Sequence, residues 1–119
     1  MLLPRLRVTE ADGDSWDDPS EEQLGVLVQE LDLDRRFLIV ERHDRPSLWQ
    51  HFIQAWIEDD RTYRVEFRDG GPEAHYQARA AEPELVRRVV TAWAFDRAGW
   101  REALPWQPWT PDEEAPGEG

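Results

Sequence analysis

The sequence predicts an α+β fold, a mostly antiparallel four- or five-stranded sheet with two helices packed on one face. Three observations carry that prediction. Residues 63–78 hold two alternating segments joined by Gly70, Gly71 and Pro72, the pattern of a hairpin. Residues 21–31 and 83–95 instead repeat apolar side chains at helical spacing. The chain has 119 residues, enough for one modest core and too few for two, so residues 1–110 are expected to form a single domain.

Taken in order, residues 6–9 suit a short first strand and residues 11–18 an acidic loop. Ser20 is a good N-cap with Gln23 as its capping-box partner, and Leu24, Leu27, Val28 and Leu31 form the apolar stripe of the helix that follows. Gly25 within it costs about 1 kcal/mol against alanine. Residues 37–42, Phe-Leu-Ile-Val-Glu-Arg, are rich in strand formers, and a polar connection containing Pro46 comes next. Residues 50–58 fit helical spacing through Phe52, Ile53, Trp56 and Ile57. They also fit a strand with Ile53, Ala55 and Ile57 inward and Phe52, Gln54 and Trp56 outward, and the strand is favoured.

In the hairpin, Tyr63, Val65 and Phe67 oppose Arg64, Glu66 and Arg68, while Tyr76 and Ala78 alternate with His75, Gln77 and Arg79. Gly70 and Gly71 are expected to supply positive φ angles. Pro83 suits a first helical position, Leu85, Val86, Val89, Val90 and Trp93 make the stripe of the second helix, and Gly99 is expected to end it. Pro105, Pro108 and Pro111 argue against regular structure thereafter, and residues 111–119 read as an acidic, disordered tail.

Net charge is −12, and it is concentrated. Residues 8–34 hold ten acidic side chains and no basic one, whereas residues 35–111 balance at twelve each. Such a field repels phosphates and attracts basic proteins, so the expected partner is a protein and not a nucleic acid. All fourteen basic residues are Arg, which with the many Ala, Gly and Pro residues reads as the mark of a GC-rich genome and not as a selected binding property. With no Cys there is neither disulfide framework nor thiol nucleophile. The opening Met-Leu-Leu-Pro-Arg is unlike a signal peptide, and no apolar run approaches the roughly 18 residues of a membrane span, so a cytoplasmic protein without membrane contact is expected.

Little in the chain suggests catalysis. His43, His51 and His75 lack metal-ligand spacing, and a grouping of Glu41, His43 and Asp44 is a weak candidate. Ser15, Ser20 and Ser47 lack a nucleophile-elbow context, no glycine-rich loop leads from a strand into a helix, and acids such as Glu58 and Asp60 read as solvated. No cofactor, metal or catalytic residue is assigned.

The hairpin, the amphipathic helix after it and the ending Trp100-Arg-Glu-Ala-Leu-Pro-Trp106 together resemble the immunity protein 1 family of bacterial polymorphic toxin systems, over residues 20–106. The resemblance implies a small antidote that binds and blocks the catalytic domain of a cognate secreted toxin; members are often paired with nucleic-acid deaminase toxins. Two other classes stay open: an acidic interaction module or nucleic-acid mimic for a basic partner, and a small enzyme. Alternation then gives the partner-binding candidates Trp56, Arg64, Glu66, Arg68, His75 and Gln77, which lie opposite the apolar set of the same strands. Trp93 is expected in the core, Trp100, Trp106 and Trp109 over the helix or a sheet edge, and Trp16 and Trp49 toward a partner.

Overall fold

The computed structural model describes residues 4–46 and 50–109. Its elements are β1 (Leu6–Glu10), β2 (Ser15–Asp17), α1 (Glu21–Gln29), β3 (Phe37–Arg42), β4 (His51–Ile57), β5 (Tyr63–Asp69), β6 (His75–Ala80), α2 (Pro83–Ala94) and β7 (Gln107–Pro108). The class is α+β with two helices, as the patterning requires. Among the described residues the antiparallel sheet, however, has seven strands instead of four or five, in the order β2-β1-β3-β4-β5-β6-β7. Both extra strands are short and marginal. β2 folds back on β1 inside the stretch read as a loop, with Val8 opposite Trp16. β7 pairs Tyr76 with Pro108 and Gln77 with Gln107, and a proline is tolerated there because an edge strand has no second neighbour to donate to.

The side of the sheet facing the helices carries Leu6, Val8, Leu38, Val40, Ile53, Ala55, Val65, Phe67 and Ala78. These residues form one buried cluster with Leu24, Leu27 and Val28 of α1 and Val86, Val89, Val90 and Trp93 of α2. Ser20 caps α1 as the sequence indicates: its hydroxyl accepts from the Gln23 amide at 3.1 Å and the Gln23 side chain accepts from the Ser20 amide at 3.2 Å. The helix stops at Gln29, before Leu31, although Leu31 still belongs to the core. Gly25 has a packing reason. A Cβ there would lie 3.3 Å from Cδ of Arg87, so its absence lets the α2 side chain rest against α1.

Two terminations differ from expectation. Gly70 has φ +107, but Gly71 is extended at φ 177, and the reversal is completed by a 3-10 turn at Pro72–Ala74 in place of a two-residue turn. The second helix ends at Ala94, before Gly99, where Phe95 caps it and Asp96 takes a left-handed φ of 56. Ser47 and Trp49, and the tail at 111–119, lie outside the described residues.

A guanidinium closes one end of the core. Arg42, 4% exposed, donates from Nε and Nη2 to the two carboxylate oxygens of Asp44, each at 2.9 Å, and from Nη1 and Nη2 to Asp96 at 3.1 and 3.3 Å. Nη1 also reaches the Trp93 carbonyl at 3.3 Å, with the guanidinium 5.9 Å from the Trp93 ring centroid. The hydrogen bonds from Arg42 hold the carboxyls of Asp44 and Asp96 below the usual aspartate range, and the guanidinium is correspondingly harder to deprotonate. Phe67, which lines the same cavity as Arg42 and Trp93, is stacked on Tyr76 at 5.2 Å and met edge-on by Trp100 and Trp106 at 5.0 and 4.8 Å.

Two outcomes test this core. Leu24 is fully buried and Val26 is 47% exposed, so Leu24→Ala should lower stability by about 2 to 5 kcal/mol in urea unfolding, while Val26→Ala stays within about 0.5 kcal/mol. Asp44 and Asp96 have depressed folded values, so their stabilisation is present above the unfolded aspartate value and is lost as pH falls through the folded one. Stability should therefore decline as pH falls below about 4, and Arg42→Met should shrink that part of the decline.

Candidate interaction face

Strand register fixes what the other side of the sheet displays. Three rows of side chains cross it: Phe37, Trp56, Arg64 and Arg79; Ile39, Gln54, Glu66 and Gln77; and Glu41, Phe52, Arg68 and His75. All six sequence-predicted residues therefore share this face. They do not share one environment, because Glu66 and His75 are buried, at 4% and 5% exposure, whereas Trp56, Arg64, Arg68 and Gln77 are half-buried.

A buried carboxylate needs donors, and neighbouring strands supply them. Glu66 Oε1 lies 2.9 Å from His75 Nε2 and accepts from Gln54 Nε2 at 3.1 Å. Arg68 Nε donates to His75 Nδ1 at 3.1 Å, and its Nη1 donates to Gln50 Oε1 at 2.9 Å. A guanidinium can only donate, so His75 Nδ1 is the acceptor and Nε2 carries the hydrogen offered to Glu66. Gln50, Arg68, His75, Glu66 and Gln54 thus form one continuous chain of hydrogen bonds across β4, β5 and β6. Both ring nitrogens of His75 are engaged, so the chain fixes the face and presents no unshared lone pair of His75 to a ligand.

The C-terminal segment covers one end. Trp109 stacks on His75 with ring centroids 4.3 Å apart, and its amide donates to the His75 carbonyl at 2.9 Å. The face expected to be open at His75 is therefore roofed there, and Gln77 lies between Glu66 and the Gln107 of β7. Trp109 sits on the sheet face itself, whereas Trp100 and Trp106 pack with the core.

Toward β3 the face is uncovered. Arg36, Phe37, Ile39, Gln54 and Trp56 line a concavity of about 420 Å3, with Phe37 37% exposed. The Arg64 guanidinium stands 4.8 Å from the Trp56 ring centroid, with Nε donating to Glu58 Oε2 at 3.2 Å, which holds the ring and the cation together. Arg36 pairs with Asp59 at 2.8 Å on the rim. Phe37 and Ile39 were missed by alternation because Phe37, Leu38, Ile39 and Val40 are all apolar. A strand apolar on both sides was the available signal that its outer side, too, carries an apolar surface.

Among the described residues, the group of acids or histidines close enough to share a cation is Glu10, Asp12 and Asp14, not Glu41, His43 and Asp44. No described helix is long and apolar enough to cross a membrane. Comparison of the chain with protein-family models, curated proteins and solved structures finds no match.

The hydrogen-bonded chain makes a direct prediction. Glu66→Ala strands the His75 and Gln54 donors and should lower stability by about 1 to 3 kcal/mol, while Glu66→Gln, which keeps an acceptor oxygen, should retain most of it. Nitrogen NMR of His75 should report the tautomer with hydrogen on Nε2; hydrogen on Nδ1 instead would contradict the donor assignment.

Proposed function

We propose that this protein is an immunity protein that binds and blocks the catalytic domain of a cognate secreted bacterial toxin, acting in the cytoplasm and having no turnover of its own. The reading rests on the resemblance carried by the hairpin and by Trp100 and Trp106. The observation that supports it best is the uncovered apolar concavity of Phe37, Ile39 and Trp56, set beside a rigid charged network. Exposed aromatic and arginine side chains held in fixed rotamers are the usual anchors of a protein interface.

Within that reading the six candidates divide by role. Trp56 is the anchor, with Arg64, Arg68 and Gln77 offering polar contacts at its margin. Glu66 and His75 hold those arginines in place from beneath. Occupation of a toxin's cleft by this face excludes its substrate sterically, and the acidic N-terminal part of the chain accelerates encounter with a basic toxin domain. Deaminase domains are the first partners to test.

This reading places a toxin gene beside this one, and that gene supplies the experiment. Co-expression should restore growth of cells making the toxin, and Trp56→Ala should weaken the complex by about 2 kcal/mol or more at unchanged melting temperature. Association should slow with added salt. Equal toxin affinity for the parent and Trp56→Ala would remove the outer face as the contact surface. The clustering of ten acidic residues in 8–34 favours a second reading, an acidic module or nucleic-acid mimic for basic partners. Binding to several unrelated DNA-binding proteins would select it, and substrate conversion that tracks the purified chain would select a small enzyme.

A further inference from the structure

The margin of the sheet opposite β7 carries a second surface. β2 is the outermost strand there, so the side of its backbone away from β1 pairs with nothing in the sheet. Beyond β2 the chain passes Pro19 and enters α1, and the angle between the two leaves a concavity of about 380 Å3. Trp16 and Val26 face it, 42% and 47% exposed, with Glu22 and Glu30 on its rim. The tryptophan is fixed: its indole Nε1 donates to Glu10 Oε2 at 2.7 Å, and Glu10 is itself 7% exposed.

The arginines at this margin are paired, and the surplus charge is negative. Arg7 pairs with Asp17 at 2.8 Å, Arg35 with Glu30 at 3.5 Å and Arg97 with Glu21 at 2.8 Å. Asp12, Asp14 and Glu22 are matched by no arginine among the described residues. Nucleic acid and acidic peptides are repelled here, and so is a second copy of a chain with net charge −12 brought margin to margin. What fits is a cation-rich strand with an apolar side chain.

We propose that this margin docks an extended, Lys- or Arg-rich segment of a partner protein, which adds to the free side of β2 and inserts one apolar side chain between Trp16 and Val26. Strand addition satisfies the unpaired backbone, the basic residues meet Glu22, Asp12 and Asp14, and the apolar residue supplies the anchor that charge alone lacks. Acidic side chains at a sheet edge also discourage edge-to-edge aggregation, and that protective role predicts no selectivity for an apolar anchor. This surface is separate from the Trp56 face, so either assignment can fail without the other.

The test is an NMR titration of the full chain with three synthetic peptides: a lysine-rich peptide with one central leucine, the same peptide with serine for the leucine, and the same with glutamate for every lysine. The leucine peptide should shift the Trp16 indole N–H and the Ser15, Asp17 and Val26 amides. It should bind at least ~10-fold more tightly than the serine peptide, and the glutamate peptide should not bind. Trp16→Ala should lose a similar factor, while Gln107→Ala, at the opposite edge of the sheet, should leave the peptide affinity unchanged. Trp16→Ala also removes a hydrogen bond from Glu10, so Val26→Asp, at an exposed helical position, gives an independent readout and should again abolish the leucine preference. Equal affinity for the leucine and serine peptides, full affinity in both variants, shifts centred on Trp56, or no binding at all would each overturn the proposal.

Discussion

The burial of Glu66 on the opposite side of β5 from Val65 and Phe67 is the constraint on which the rest of the molecule turns. β5 is buried on both sides, with Val65 fully enclosed beneath the helices and Glu66 enclosed on the outer face. A slip of one residue would drive the carboxylate into the apolar core and expose Phe67, so this strand admits one register. Once the register is set, the carboxylate must be satisfied where it lies. That requirement selects Gln54 from β4 and His75 from β6, and Arg68 then completes the His75 ring.

The outer face is consequently a built surface. A solvated sheet of mixed charges would leave long side chains free to adopt many rotamers, and each would have to be ordered on binding. Here Arg64 is held over Trp56 by Glu58 and Arg68 is held by Gln50 and His75, so much of that ordering precedes any encounter. Trp109 extends the same logic. Its stacking on His75 ties the chain after β7 to the sheet and leaves the concavity at Phe37 and Trp56 as the uncovered part of the face.

The described tryptophans divide their labour by position. Trp93, Trp100 and Trp106 pack with the core, Trp109 covers the outer network, Trp56 lines the concavity of the outer face and Trp16 that of the acidic margin. The acidic margin and the outer face thereby differ in chemistry as well as in place. One offers carboxylates and a free strand edge; the other offers arginines fixed on aromatic rings.

Much of this was legible in one dimension. Strict alternation in residues 63–68 and 75–80 gave both faces of β5 and β6, Ser20 with Gln23 gave the start of α1, and the strand over Phe37–Arg42 was read to its ends, because each of these is written in neighbouring residues. The two marginal strands were not legible. Ser15–Asp17 is exposed and mostly polar, and Gln107–Pro108 contains a proline, so each becomes a strand only because β1 or β6 offers an unpaired edge. The same division holds at the interaction face. Sequence determined that Trp56, Arg64, Glu66, Arg68, His75 and Gln77 lie on one side of the sheet, since side-chain direction follows from a period of two. Only the tertiary structure decided that Glu66 and His75 are buried and that Phe37 joins Trp56, because burial depends on what crosses over a strand from elsewhere in the chain.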